Sequence, residues 1–159
     1  MLSMKHPVAV LLHNIRSAHN VGAIFRTADA AGVSKIFLSG YTPVPLDKFG
    51  RTQKEIAKTA LGAEGYIPWE YCKTPGEVIA KAREGGFQIV GIEQDARARD
   101  YRNFKPESPT LFIFGNEVRG LSPQLKKICD DLIQIPMFGK KESLNVATTA
   151  GIILFSAIH

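Results

Sequence analysis

A chain of 159 residues with 45% hydrophobic and 22% charged residues is the size of one domain and has the composition of an ordinary globular protein. No apolar run approaches the roughly 18 residues of a transmembrane helix, and Val8–Leu12 is too short for the core of a signal peptide. A formal charge of +5 admits a polyanionic partner without requiring one.

Val8–Leu12 is an uninterrupted apolar run, which predicts a strand buried on both faces. After the polar stretch His13–Asn20, the apolar residues Val21, Ile24, Phe25 and Ala28 recur at helical spacing. They predict an amphipathic helix over about 20–31, ended by Gly32, with Arg26 far from the apolar stripe. Lys35–Ser39 is a second strand, 40–50 a Pro/Gly-containing loop, and Thr52–Leu61 a helix. Tyr66–Tyr71 is read as an edge strand because Pro68 lies within it. Thr74-Pro75 and Ser122-Pro123 each pair a capping side chain with proline at the first helical position, opening helices after 74 and after 122. Phe87–Ile92, Thr110–Phe114 and Leu132–Ile135 complete the strands, the last stopped by Pro136. A long apolar helix follows Asn145. Strands alternating with helices define an α/β fold with a mainly parallel sheet, in which ligands bind at the C-terminal ends of the strands.

Chemistry-bearing residues gather at three strand-to-helix junctions: His13–Asn20, Gly115–Gly120, and Glu142, Ser143 and Asn145. Unpaired backbone N–H groups at a helix start favour either a cap or a site there. The usual nucleotide fingerprints are missing. Gly115–Gly120 is not followed by Lys-Ser/Thr, and no Gly-x-Gly-x-x-Gly follows the first strand. Cys72 and Cys129 stand in no metal or redox spacing and the four histidines form no ligand pair, so no metal is expected and a reducing, cytoplasmic setting fits. Basic residues crowd two segments: Arg97, Arg99, Arg102 and Lys105, interleaved with Tyr101 and Phe104, and Lys48, Arg51, Lys54 and Lys58.

Three stretches together carry a resemblance. They are Asn14-x-Arg-x-x-x-Asn20-x-Gly-x-x-x-Arg26-Thr-Ala, Phe112-Ile-Phe-Gly-Asn-Glu-x-x-Gly-Leu-Ser122, and Ile135-Pro-Met-x-Gly-x-x-Glu-Ser-Leu-Asn-Val146. In this order and spanning nearly the whole chain, they resemble the three motifs of the SpoU (TrmH-like) branch of the SPOUT RNA methyltransferases. The resemblance implies helices on both faces of the sheet and a C-terminal trefoil knot, an exception to general topology rules. It implies a homodimer and methyl transfer from S-adenosylmethionine to a ribose 2′-hydroxyl in tRNA or rRNA. By position, Arg26 matches the catalytic arginine and Asn20 the asparagine beside it. Glu117, Ser143 and Asn145 match the remaining polar positions, and Gly115, Ile135, Met137 and Leu144 the loops that wrap the cofactor. Two departures stand out. Ala147 occupies a place where serine is common. The first motif also begins near the start of the chain, so a single catalytic domain over 1–159, with no separate N-terminal RNA-binding domain, is expected.

Arginine is a poor base, so Arg26 is read as a fork that grips phosphate and stabilises charge developing on the 2′-oxygen. RNA contacts are assigned to Arg97, Arg99 and Arg102 and to Lys48, Arg51 and Lys54. The final helix carries small residues on one face and apolar surface almost all round, which predicts burial on every side and a second copy as cover. The competing readings are a non-catalytic RNA-binding protein on the same fold and methylation of a base.

Overall fold

The computed structural model describes residues 5–159. Seven strands, β1 (Val8–His13), β2 (Lys35–Ser39), β3 (Trp69–Cys72), β4 (Gln88–Ile92), β5 (Arg99–Asp100), β6 (Thr110–Phe114) and β7 (Asp131–Gln134), form one sheet in the order β3-β2-β1-β6-β4-β7-β5. Every pairing is parallel. The helices are α1 (Ala18–Ala31), α2 (Lys54–Ala60), α3 (Pro75–Glu84), α4 (Pro123–Ile128) and α5 (Val146–Ile158), with single 3-10 turns at Ala63–Gly65 and Tyr101–Asn103.

The central strands are apolar over Val8–Leu12 of β1 and Leu111–Phe114 of β6 because both faces of the sheet are covered. On one face Val8, Val10 and Leu12 of β1, Ile36 and Leu38 of β2, and Phe112 and Phe114 of β6 meet α1, α2 and α5. On the other, Ala9, Leu11, Phe37, Leu111 and Ile113 meet Val78, Ile79 and Ala82 of α3 and Leu125 of α4. Phe25 of α1 is fully buried in the first layer, where truncation to alanine costs about 3–5 kcal/mol. Helices α1 and α5 lie side by side and run the same way. Asn145 meets Asn20, Gly151 lies against Thr27, and His159 Nε2 lies 3.1 Å from Ala31 O.

Several boundaries differ from expectation, each for a local reason. The edge strand begins at Trp69, after Pro68, which lacks an N–H but still accepts from Ile36 N through its carbonyl. Helix α2 is shorter than Thr52–Leu61, because Gln53 caps it and Leu61 turns left-handed at φ 51. Strand β7 spans 131–134, and the Ile135 carbonyl accepts instead from Gln94 Nε2. The basic segment expected to be a loop contributes β5, the far edge of the sheet. To reach that place, residues 93–98 cross over the C-terminal end of β7. Glu93 N donates to Ile133 O at 3.1 Å and Gln134 Nε2 donates to Ala98 O at 3.2 Å, so the crossing is tied down on both sides.

Candidate active site

A parallel sheet delivers the C-terminal ends of its strands to one edge, and a cleft lies there. The C-terminal ends of β4, β6 and β7 and the start of α5 line it. Its apolar wall is Ile92, Phe114, Ile135, Met137, Leu144 and Val146, and its polar groups include Glu93, Gln94, Asn116, Glu117, Gln134 and Ser143. It is a narrow crevice with a cavity volume of about 130 Å³, open to solvent at its mouth.

Backbone approaches the cleft closely on the β6 side. Gly120 has φ +65, and a methyl group there would run into the Glu93 carboxylate, so only glycine fits. Glu93 Oε2 accepts from Leu121 N at 2.7 Å, and Oε1 accepts from Gln94 N at 3.0 Å. Glu117 turns the other way. Its oxygens accept from Arg16 N at 2.9 and 3.1 Å, which ties the β6–α4 loop to the β1–α1 loop. Beneath it the buried Asn116 donates to Asn14 O at 3.0 Å and to Tyr41 Oη at 2.8 Å, while its oxygen accepts from Val118 N and Arg119 N. Asn145 is the N-cap of α5. Its Oδ1 accepts from Ala147 N at 2.8 Å and Thr148 N at 3.3 Å, and its Nδ2 donates to Asn20 Oδ1 at 3.2 Å.

The cleft therefore brings together Gly115, Glu117, Ile135, Met137, Ser143 and Leu144. Asn20 and Asn145 meet each other at its edge. Arg26 lies elsewhere, in a shallow groove with Ala23, Thr27, Ala30, Lys58, Thr59 and Phe155. It is about 9 Å along the α1 axis from Asn20, at 1.5 Å per residue. Glu93 and Gln94, which sequence reasoning did not single out, were accessible to it in one respect: they directly follow a buried strand, at the edge where such sheets bind ligands.

The two basic segments differ in how their charges are satisfied. Arg97 pairs with Asp95, Arg99 with Asp131 and Arg102 with Asp100, while Lys105 donates to the Ser156 carbonyl. The bond from Arg102 holds the Asp100 carboxyl down at about 2, and Arg97 and Lys126 depress Asp95 as well. In the other segment Arg51 pairs with Asp47 and stacks on Phe49, Lys48 lies over the same ring, and Lys54 has no acidic partner among the described residues. The described residues hold no cluster of His, Cys, Asp and Glu arranged for a metal ion, and no helix long and apolar enough to cross a membrane.

These features define a parallel α/β domain with a crevice at the sheet's carboxyl edge, built by the stretches that follow β4, β6 and β7. The chain belongs to the SpoU rRNA Methylase family, whose model matches residues 7–155. The 23S rRNA (guanosine-2′-O-)-methyltransferase RlmB of Neisseria meningitidis is 32% identical over 148 residues, 93% of this chain and 56% of that protein. The tRNA (guanosine(18)-2′-O)-methyltransferase of Aquifex aeolicus is 33% identical over 148 residues, 93% of this chain and 67% of its own length. Among solved structures, the AdoMet-bound rRNA methyltransferase from Sinorhizobium meliloti superposes with a TM-score of 0.85 at 34% identity, over 97% of this chain and 56% of that one. The chain thus spans a little over half the length of most of these proteins.

Proposed function

We propose that this chain transfers a methyl group from S-adenosylmethionine to a ribose 2′-hydroxyl of tRNA or rRNA, in the cytoplasm and as a homodimer. The observation that carries this reading is the cleft, where the second and third sequence motifs close around one crevice while Asn145 joins the third to the first. The names of the relatives, ribose methyltransferases of both RNA classes, support it. The crossing of 93–98 over the end of β7 is consistent with the knot, since Gln94 and Ala98 bond the residues where the chain leaves that strand.

The residues present fit the cofactor. An apolar wall of Ile92, Phe114, Ile135, Met137 and Leu144 suits an adenine ring, and the carboxylates of Glu93 and Glu117 suit a cationic ligand. When bound, S-adenosylmethionine supplies an electrophilic methyl on a positively charged sulfur. This chain's contribution is alignment of the hydroxyl with that methyl, together with stabilisation of the oxygen as its proton leaves. In this reading Ser143, at the cleft, and the Asn20–Asn145 pair orient the ribose. Glu117 holds the loop that carries Arg16, and Arg26 supplies the fork to the developing charge.

Arg26 does not line its own chain's cleft, and the groove around it exposes Phe155 on α5. The final helix is therefore not buried all round within one chain, and its open side and Arg26 share a face. A second copy on that face covers Phe155 and carries Arg26 toward a neighbouring cleft. Lys48 and Lys54 remain candidate RNA contacts; Arg51, Arg97, Arg99 and Arg102 can serve only by leaving their aspartates.

The test is incubation with S-adenosylmethionine carrying a labelled methyl group and with transcribed tRNA and rRNA, followed by alkaline hydrolysis. Label in alkali-resistant dinucleotides is expected, because a methylated 2′-oxygen cannot attack the neighbouring phosphate. Label in alkali-released mononucleotides assigns base methylation instead. Cofactor binding without transfer to either RNA points to the non-catalytic reading.

A further inference from the structure

Some basic residues of the described chain are held by acids and others are not. The arginines of 97–102 are each held by an aspartate. On the loops that line or adjoin the cleft, four cations are left without acids. Arg16 on the β1–α1 loop, Arg119 on the β6–α4 loop, and Lys140 and Lys141 on the β7–α5 loop are exposed and have no ion-pair partner among the described residues. The acids of this region do not cancel them. Glu93 and Glu117 accept from backbone N–H groups rather than from these side chains, and none of the three acids, the exposed Glu142 included, forms an ion pair among the described residues.

A second feature sits in the same place. Phe138, two residues before Lys140, is 88% exposed, the most exposed of the large hydrophobic residues described. An aromatic ring left in water beside unpaired cations is the composition of a single-stranded nucleic-acid platform, in which bases stack on the ring and phosphates meet the charges. An acidic protein partner would use the charges but has no comparable use for a flat exposed ring.

We propose that RNA docks on the rim of the cleft, its phosphates held by Arg16, Arg119, Lys140 and Lys141 and one unstacked base lying on Phe138. This rests on the RNA methyltransferase reading above and adds to it the surface that presents the target nucleotide. Of the paired arginines of 97–102, Arg99 fastens β5 to β7 through Asp131, while Arg97 and Arg102 are held within their own segment by Asp95 and Asp100. The β7–α5 loop thereby has two duties: Met137, Ser143 and Leu144 face the crevice, while Phe138, Lys140 and Lys141 face the nucleic acid.

The experiment measures binding of a random-sequence single-stranded RNA of 30 nucleotides across a salt series. It compares the unaltered protein with R16A/R119A, K140A/K141A, F138A and R97A/R99A/R102A. Each rim pair is expected to lower the slope of log affinity against log salt by roughly 0.7 for every phosphate no longer neutralised. F138A is expected to weaken binding roughly fivefold or more, and F138W to restore it. S-adenosylmethionine affinity of the rim variants should stay unchanged, which separates impaired docking from a collapsed cleft. Rim variants with an unaltered slope, or a triple arginine variant whose slope falls further than theirs, would overturn the proposal. So would competition by polyglutamate as effective as RNA itself, and so would a weakening in F138A that tracks a change in oligomeric state. No binding of RNA by the unaltered protein would instead sink the underlying RNA reading.

Discussion

Asn145 donates its side-chain amide to Asn20 Oδ1 at 3.2 Å across 125 residues of sequence, while its own oxygen caps the final helix. One side chain thus fastens two motifs and starts a helix. Its two halves can be separated by substitution. Asn145→Asp keeps a good cap and suits the positive end of the helix, so stability should change by less than about 0.5 kcal/mol. It replaces the donor with an oxygen facing Asn20, so methyl transfer should fall sharply. Asn145→Ala should lose about 1 kcal/mol as well. Denaturant unfolding and turnover, measured on both variants, check this; equal turnover by Asn145→Asp and the unaltered protein would remove the pair from the site.

Arg26→Ala should leave folding and cofactor affinity nearly intact and reduce methyl transfer roughly a hundredfold, the scale of losing a donor aimed at developing charge. Arg26→Lys should restore little, since an ammonium lacks the planar fork. Mixing Arg26→Ala chains with Ser143→Ala chains tests where the guanidinium acts. Recovered turnover in the mixture means that it serves the neighbouring copy's cleft. Two inactive chains that stay inactive together would place its action within its own chain.

Gly22 sits inside α1, where alanine would ordinarily be better by about 1 kcal/mol. Here a methyl group would collide with Thr59 Oγ1 and the Ile56 carbonyl of α2. Gly22→Ala should therefore destabilise the fold by about 1–3 kcal/mol, as overpacking does. A raised melting temperature would contradict the close approach of α1 and α2.

Acid should loosen the β5 edge first. The hydrogen bond from Arg102 lowers the Asp100 carboxyl to about 2, and Arg97 lowers Asp95. A carboxylate depressed in the folded state adds stability above its unfolded value near 4, and that stability is lost as pH falls through the folded value. Asp95→Asn with Asp100→Asn should flatten the decline in unfolding midpoint between about pH 4 and pH 2. An unchanged acid limb would show that these ion pairs contribute nothing beyond solvated surface charge.

Much of this was legible in the chain because local chemistry and tertiary role agree. Thr74-Pro75 and Ser122-Pro123 open α3 and α4 as read, and Gly32 closes α1 in the left-handed region. The α/β class with helices on both faces followed from apolar runs that the sheet buries on both sides. What escaped was in part local, the pairing of Arg97 and Arg102 with aspartates two residues away, and in part non-local. Strand β5 is two polar residues, Arg99 and Asp100, with no periodicity to betray them; β7 recruits them as an edge. The partner of Arg99 is Asp131, 32 residues away, so the charge count of the segment suggested a free basic patch where the fold makes pairs. Arg26 was correctly read as exposed, but spacing on one helix could not tell that its groove is separate from the cleft.

An all-parallel sheet contains no hairpin, and this has a consequence for the growing chain. Strand β1 is central: β2 covers one edge, and β6 covers the other only when Thr110–Phe114 exists. At ordinary translation speeds that partner emerges roughly 5–20 s after β1. Throughout that interval Val8–Leu12, five apolar residues with one open row of N–H and C=O groups, is a template for any stray strand. Newly made chains should therefore depend on a chaperone that shields the β1 segment, and refolding yield should drop steeply with concentration although the finished sheet buries Val8–Leu12.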